Sequence, residues 1–219
     1  MRGKNYIAGK WVSAKGGSEY ESRNPAQTGE ILGRVPLSHR EDVEQAVASA
    51  KEAFPAWRAL SRIKRGEAIE RFVDIVKAGA DEMARLVARE AGKAINEARA
   101  DVIEGIHMAQ YMFGHARMPY GQVLPSEIAE KDAYMLRKPK GVVSVITPWN
   151  FPFAIPIWLI TPSLLEGNTV VFKPSEETPE MGWHLAKLFE EAGLPEGVFN
   201  VVHGSGANVG WPMVQHPAI

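Results

Sequence analysis

The 219-residue sequence contains no cysteine. Disulfide bonds and thiolate metal sites are therefore excluded, and we expect a cytoplasmic protein, because proteins of that compartment rarely use disulfides. Lys and Arg (25) nearly balance Asp and Glu (26), so no strong field attracts nucleic acid or an acidic membrane surface. The longest apolar run, residues 153–165, is interrupted by Pro156 and Pro162 and is too short to cross a bilayer. Neither nucleic acid nor a membrane is expected as a partner.

Several motifs of catalysis and metal binding are absent as well. The sequence has no P-loop, no HExxH pair and no G-x-S-x-G turn, and its six histidines are scattered, so no metal site is predicted. The start of the chain lacks the apolar stretch of a signal peptide. The composition, 45% hydrophobic and 23% charged, suits a globular protein of one large domain, with or without an appendage.

The first half of the chain predicts short strands followed by helices. Residues 6–12 and 31–35 have the pattern of strands bounded by Gly and Asn-Pro turns. Ser38 and Glu41 fit a capping box at the start of a helix, with Ser38 as the N-cap. Behind it, apolar stripes with helical spacing recur between residues 43 and 113, and we interpret them as core packing faces.

The segment 118–139 differs from the helical region before it. Two exposed strands around a charged turn are predicted, and Pro125 suits the edge of such a pair. Either an ordinary surface hairpin or an arm that leaves the domain body fits these residues. Taken alone, they favour the ordinary hairpin.

The last third of the chain alternates strands and helices. The predicted strands lie at 142–146, 169–172 and 198–202, and the predicted helices at about 153–166, 179–192 and 207–215. Strands of continuous Val and Phe character, separated by helices, indicate a parallel sheet covered on both faces, which is an α/β fold. Such sheets bind ligands at the carboxyl ends of their strands.

The loop after the first of these strands holds an asparagine between two prolines. It reads Pro148-Trp149-Asn150-Phe151-Pro152, and proline stiffens the backbone around it. A carboxamide held there can donate its N–H to a developing oxyanion. Alternatively, Asn150 only shapes its own turn through hydrogen bonds to the backbone.

The next two strands also end in polar or glycine-rich loops. Lys173 and Glu176 follow the second strand and together can hold the two hydroxyls of a ribose; alternatively, they are surface residues that cap the next helix. The third strand is followed by a GxGxxxG sequence at 204–210, one residue longer than the usual dinucleotide fingerprint. This last signal is weak, because glycines also mark tight turns.

Taken together, these residues closely resemble the aldehyde dehydrogenase superfamily. The segments TPWNFPF, GNTVVFKPSEETP and EAGLPEGVFNVVHGSG occur in the family's order and spacing, and the early NYIAGKWV segment is similar too. The resemblance implies an α/β fold in which N-terminal helices and a parallel Rossmann-like sheet form a partial NAD(P)-binding domain, residues 1–117 and 140–219. It also implies that 118–139 is a β-hairpin arm for homo-oligomerisation, which reverses the preference stated above.

The resemblance also assigns roles to individual residues. Asn150 matches the asparagine that stabilises the oxyanion of the thiohemiacetal. Lys173 and Glu176 match the pair that holds the adenosine ribose, with Ser175 beside them. The other residues that it places along the NAD or NADP cofactor are Ile146, Thr147, Pro148, Trp149, Gly206, Ala207 and Gly210.

The sequence departs from the family in two ways. Trp158 is followed by Leu159, where members usually have a lysine near the cofactor. The general-base glutamate and the nucleophilic cysteine of the family do not occur, which implies an N-terminal part of a longer enzyme. We therefore expect a parent that oxidises a small aldehyde to an acid, and a chain that is inactive alone. The alternative is a non-catalytic nucleotide-binding or assembly fragment.

The resemblance leaves the cofactor and the substrate open. Glu176 should repel a 2′-phosphate and favour NAD, whereas Ser175 and Lys173 could accept NADP. The stretch KDAYMLRKPKGVVSVITPWNFP is similar to dehydrogenases that act on 2-oxoglutarate semialdehyde.

Overall fold

The computed structural model describes residues 3–219, so the first two residues of the expected cofactor-binding domain lie outside the described part. The strands are β1 (Asn5–Ile7), β2 (Lys10–Val12), β3 (Glu19–Arg23), β4 (Ile31–Pro36), β5 (Gly121–Leu124), β6 (Ala133–Leu136), β7 (Val142–Ile146), β8 (Thr169–Lys173) and β9 (Phe199–Val201). The helices are α1 (Arg40–Ala59), α2 (Arg62–Ala78), α3 (Ala80–Ala91), α4 (Ile95–His115), α5 (Ala154–Leu165), α6 (Pro179–Glu191) and α7 (Trp211–Gln215).

The main sheet has the strand order β2-β1-β9-β8-β7. Its β7, β8 and β9 strands run parallel, which confirms the predicted α/β fold. The single strand predicted at 6–12 is wrong: β1 and β2 form a hairpin there, and β1 pairs antiparallel with β9. The reason is local, because Ala8 and Gly9 both have positive φ (54° and 70°), as a two-residue hairpin turn requires.

Both faces of the sheet are covered, as the apolar strands predicted. Val170 and Phe172 of β8 point into a large core shared with α2, α3, α4, α5 and α6. Val171, between them, belongs to a second core on the other face, together with Val43 and Val47 of α1. Successive side chains of a strand point to opposite faces, so β8 is anchored on two sides.

The start of α1 differs from the prediction by one residue. His39, not Ser38, is the N-cap, and its backbone N–H donates to the carboxylate of Asp42 over 3.0 Å. Ser38 is tied to other elements instead: its N–H donates to the carbonyl of His203, and its hydroxyl accepts from the side chain of Asn5 over 2.8 Å. These tertiary contacts override the local capping preference.

The predicted hairpin in segment 118–139 is present. Strands β5 and β6 pair antiparallel, with Val123 opposite Tyr134. Both of these side chains are exposed, at 73% and 63%. A further antiparallel pair, β3 with β4, forms a separate two-stranded sheet. Within residues 3–219, no helix combines the length and the apolar character needed to cross a membrane.

Candidate functional site

The candidate site lies where β7 and β8 end side by side. Ile146 and Lys173, the last residues of these two strands, are register partners. The backbone N–H of Thr147 then donates to the carbonyl of Lys173 over 3.3 Å, which extends the ladder into the loop. The loop with Asn150 and the loop with Glu176 therefore start from one edge of the sheet, at its carboxyl end.

The ammonium group of Lys173 is held in a defined position. The side chain is only 4% exposed, and Nζ donates to the carbonyls of Pro174 (2.9 Å) and Gly204 (3.1 Å). Burial lowers the pKa of Lys173, and the nearby Glu176 carboxylate opposes that shift. Since a lysine has three donor hydrogens, one remains for a ligand such as a sugar hydroxyl.

The glycine-rich loop brings a further predicted residue to Lys173. A Cβ atom built on Gly210 would lie 3.6 Å from Cε of Lys173 and 3.9 Å from Cδ1 of Ile146. Gly210 therefore converges with two other predicted cofactor residues. Gly206 faces open space, and Ala207 borders another groove of about 820 Å³ beside the start of α1.

The helix predicted at 207–215 does not begin as an α-helix. A π-helical turn at Gly206–Gly210 precedes α7. Its N-cap is Ser205, whose hydroxyl accepts the backbone N–H of Asn208 over 3.1 Å. Single π-turns of this kind often accompany functional sites.

Two residues far away in sequence hold the loop that contains Glu176. The hydroxyl of Tyr20 donates to the backbone carbonyl of Glu176 over 3.0 Å. The buried carboxylate of Glu90 accepts the N–H groups of Glu180 and Met181 at the start of α6. Burial raises the pKa of Glu90 to about 8, although these two N–H groups act in the opposite direction. Glu176 is exposed, and the hydroxyl of Ser175 accepts the backbone N–H of Glu177.

The turn around Asn150 is held through its backbone. Nζ of Lys93 donates to the carbonyl oxygen of Asn150 and lies 4.4 Å from the ring centroid of Phe151. Asp101 accepts the N–H of Ala154 over 2.7 Å, at the start of α5. Burial raises the pKa of Asp101, and the Ala154 N–H and the Lys93 ammonium 3.8 Å away lower it.

The carboxamide of Asn150 is available for a ligand. The residue is exposed, and within residues 3–219 its side chain makes no hydrogen bond. Pro148 and Trp149 are exposed next to it, Trp149 at 54%. Leu159, the departure on α5, is 43% exposed.

Lys93, Asp101, Glu90 and Tyr20 were not among the predicted site residues. Lys93 contacts Asn150 across 57 sequence positions, and Asp101 contacts Ala154 across 53. No local sequence pattern predicts these two contacts, because they form only when α4 and the segment before it pack against α5 and the loop before it. Groups of three or more acidic, His or Cys side chains that could hold a metal ion do not occur in the described part of the chain.

Comparison with known proteins decides the family. The model of the aldehyde dehydrogenase family matches residues 11–219. The chain belongs to this family. Its fold is that of the N-terminal part of aldehyde dehydrogenases, since the structure of an aldehyde dehydrogenase from Brucella melitensis biovar abortus 2308 superposes on the whole chain with a TM-score of 0.95 and 28% identity. A solved structure described as an NADP-dependent enzyme of E. coli superposes on the whole chain with the same TM-score and 34% identity.

Named relatives of this family member include two semialdehyde dehydrogenases. The alpha-ketoglutaric semialdehyde dehydrogenase of Bacillus subtilis is 43% identical over 98% of the chain. Malonate-semialdehyde dehydrogenase 3 of Geobacillus kaustophilus is 44% identical over 94% of it. The structure of PnpE in complex with nicotinamide adenine dinucleotide has a TM-score of 0.94, at 36% identity over the whole chain.

The family member is shorter than these relatives. It spans 44% of the Bacillus subtilis protein and 43% of the Geobacillus kaustophilus protein. It covers 45% of both the E. coli chain and the PnpE chain.

Proposed function

We propose that these residues form the cofactor-binding part of an enzyme that oxidises an aldehyde to a carboxylic acid with NAD or NADP. The observation that carries the proposal is Lys173, a buried ammonium with one donor left, next to the exposed Glu176 at the end of β8. A cation and a carboxylate in this arrangement suit the two hydroxyls of a ribose. When bound, the oxidised nicotinamide ring accepts a hydride.

The remaining predicted residues line the path of the cofactor from this ribose. Gly210 keeps the space above Lys173 and Ile146 free of a side chain, which lets a ligand approach the strand ends. We assign the wall of the cofactor path to residues 146–149 and the adenine end to Gly206 and Ala207. Ser175 lies beside the ribose pair.

Asn150 is proposed to act on the aldehyde. Its free carboxamide N–H would donate to the carbonyl oxygen as negative charge develops on it. Lys93 and the Asp101 contact at Ala154 hold the backbone of the turn, so the backbone that carries the amide is in place before the substrate binds.

The 219 residues supply no thiol, because they contain no cysteine. The nucleophile of the family's chemistry must then come from outside them, and we propose that the chain alone does not oxidise aldehydes. A non-catalytic nucleotide-binding or assembly module is the second candidate. The exposed Leu159, at a position where the family usually has lysine, favours that candidate.

Within the first candidate, we propose NAD and a semialdehyde substrate. The carboxylate of Glu176 would repel the 2′-phosphate of NADP, although Lys173 and Ser175 could attract it. Both named relatives act on semialdehydes by their descriptions, which supports an aldehyde that carries a carboxylate. We also propose that the domain comprises 1–117 and 140–219, and that the 118–139 hairpin associates identical chains.

Two substitutions in the active enzyme that contains these residues test the proposal. Asn150→Ala should lower kcat about 100- to 1000-fold, which corresponds to about 2.7–4 kcal/mol of transition-state stabilisation, with little change in NAD affinity. Glu176→Gln serves as the matched control, because it contacts only the ribose. It should raise the KM for NAD with little change in kcat and should improve the use of NADP.

Steady-state kinetics of both variants with both cofactors provides the measurement. Near-normal kcat in Asn150→Ala would contradict the oxyanion role. An unchanged KM for NAD in Glu176→Gln would contradict the ribose role.

A further inference from the structure

A buried polar network lies behind Lys173. Asn5, Ser38 and His203 are 0%, 1% and 2% exposed, and they come from three different parts of the chain. The side-chain oxygen of Asn5 accepts the N–H of His203 over 2.9 Å, and its amide nitrogen donates to the hydroxyl of Ser38 over 2.8 Å. The N–H of Ser38 completes a ring of three hydrogen bonds by donating to the carbonyl of His203 over 3.3 Å.

The network ends at the acceptor of the cofactor lysine. Gly204 directly follows His203, and its carbonyl accepts Nζ of Lys173 over 3.1 Å. Gly204 has φ of +145°, and a Cβ atom there would lie 2.6 Å from Cγ2 of Val209 and 3.2 Å from the carbonyl oxygen of Ser38. The Gly204 peptide therefore has little room to move, and only glycine fits.

His203 contributes no competing charge to this arrangement. Its imidazole is buried, and burial and the nearby Lys173 ammonium lower its pKa to about 3. The ring is therefore neutral at neutral pH. It adds no positive charge beside the Lys173 ammonium.

We propose that Asn5 is a positioning residue for cofactor binding: through His203 and Gly204, it fixes the direction in which the Lys173 ammonium presents its free donor. The inference rests on the proposed contact of Lys173 with the ribose. A buried amide is costly unless its polar atoms are bonded, and an apolar side chain would suit the core position of Asn5 in β1. The side-chain oxygen of Asn5 holds His203, next to the lysine's acceptor, and its amide nitrogen holds Ser38, whose own N–H donates to the carbonyl of His203.

The chain offers a closely matched control in Asn200. It is another fully buried asparagine that ties β1 to β9, because its Oδ1 accepts the N–H of Ala8 over 3.0 Å. Its Nδ2 donates to the carbonyl of Gly197 over 2.7 Å, in the turn before β9. Loss of the Asn200 side chain should therefore lower the stability of the fold as loss of the Asn5 side chain does, but it should not change the position of the Gly204 carbonyl.

Isothermal titration of the 219-residue chain with NAD and with ADP-ribose tests this role. Asn5→Ala should weaken the binding of both ligands about tenfold, as expected when one charge-assisted contact is misaligned. Asn200→Ala should lower the melting temperature by a similar amount and leave both dissociation constants within about twofold. Lys173→Ala reports the full contribution of the lysine and should weaken binding at least as much as Asn5→Ala.

Ser38→Ala is a milder variant, useful if Asn5→Ala does not fold by circular dichroism. It removes only the hydroxyl that Asn5 contacts and should weaken binding about threefold. If Asn5→Ala binds as tightly as Asn200→Ala, or if Ser38→Ala binds like the unsubstituted chain, the positioning role is overturned while the cofactor site stands. If Lys173→Ala leaves binding unchanged, or if the unsubstituted chain binds neither ligand, the proposed function of this site fails together with the inference.

Discussion

At the scale of single residues, His203 links the stability of the fold to pH. Its imidazole is neutral in the folded protein, because burial and Lys173 lower its pKa to about 3 from the ordinary value of 6.5. The unfolded chain therefore binds one more proton than the folded chain between these two values. The stabilisation is complete above pH 6.5 and is lost as the pH falls toward 3.

We expect the free energy of unfolding to fall by about 2 kcal/mol between pH 7.5 and pH 5 on account of this residue alone. His203→Asn should remove that part of the pH dependence. The measurement is urea unfolding of both proteins at the two pH values. Asn200→Ala, which replaces another buried side chain but no titratable group, is the control and should keep the pH dependence of the unsubstituted chain. Equal pH dependence in His203→Asn and the unsubstituted chain would contradict the buried neutral imidazole.

Some site residues could be predicted from the sequence and others could not. Ile146 and Lys173 each end an apolar strand, and parallel strands bring their carboxyl ends to one edge, so their proximity follows from the pattern. Lys93 and Asn5 follow from no pattern. Their partners, Asn150 and His203, are 57 and 198 positions away, and only the packed fold brings them together.

At the scale of elements, the β5–β6 hairpin exposes apolar side chains. Val123 and Tyr134 face each other across the pair, and Leu136 is also exposed at 53%. Contiguous exposed apolar surface of this kind is typical of an interaction site. Taken with the proposed association of identical chains, it predicts that the hairpin stabilises the oligomer.

The double substitution Val123→Thr with Tyr134→Thr should raise the dissociation constant of the oligomer by more than about tenfold, because it removes two apolar side chains from the contact. Threonine keeps the strand propensity of the hairpin. Light scattering coupled to size exclusion, over a range of protein concentrations, gives the molar mass. Ile103→Thr, an exposed apolar position on α4, is the control and should leave the mass unchanged. An unchanged mass in the double variant would contradict a role of the hairpin in association.

Element boundaries were predictable where periodicity alone decides them. The strand predicted at 142–146 matches β7, and the apolar helix predicted at about 153–166 matches α5 within one residue at each end. Two of the misses have tertiary or conformational causes. Positive φ at Ala8 splits the first predicted strand, and the contacts of Ser38 with Asn5 and His203 move the start of α1 by one residue.

At the scale of the whole molecule, the 219 residues contain only some of the groups that the proposed reaction needs. They contain the proposed ribose pair and the proposed oxyanion donor but no thiol. We expect the purified chain to produce no NADH from a panel of aldehydes, including semialdehydes, while it still binds NAD in calorimetry. NADH absorbance with and without aldehyde is the measurement, and turnover that depends on both the chain and the aldehyde would contradict the expectation. The preparation must be free of full-length aldehyde dehydrogenase from the host.

The pairing of β1 with β9 has a consequence for the order of events during synthesis. Ribosomes add roughly 5–20 residues per second, so Tyr6 waits roughly 10–40 s before its partner Val201 exists. The helices α2, α3 and α4 pack against one another and need no such delay. Until β9 and the residues after it have been synthesised, Asn5 cannot bond to His203, and Lys173 cannot bond to the carbonyl of Gly204. The nascent chain therefore completes the proposed cofactor site late, when the β1–β2 hairpin pairs with β9.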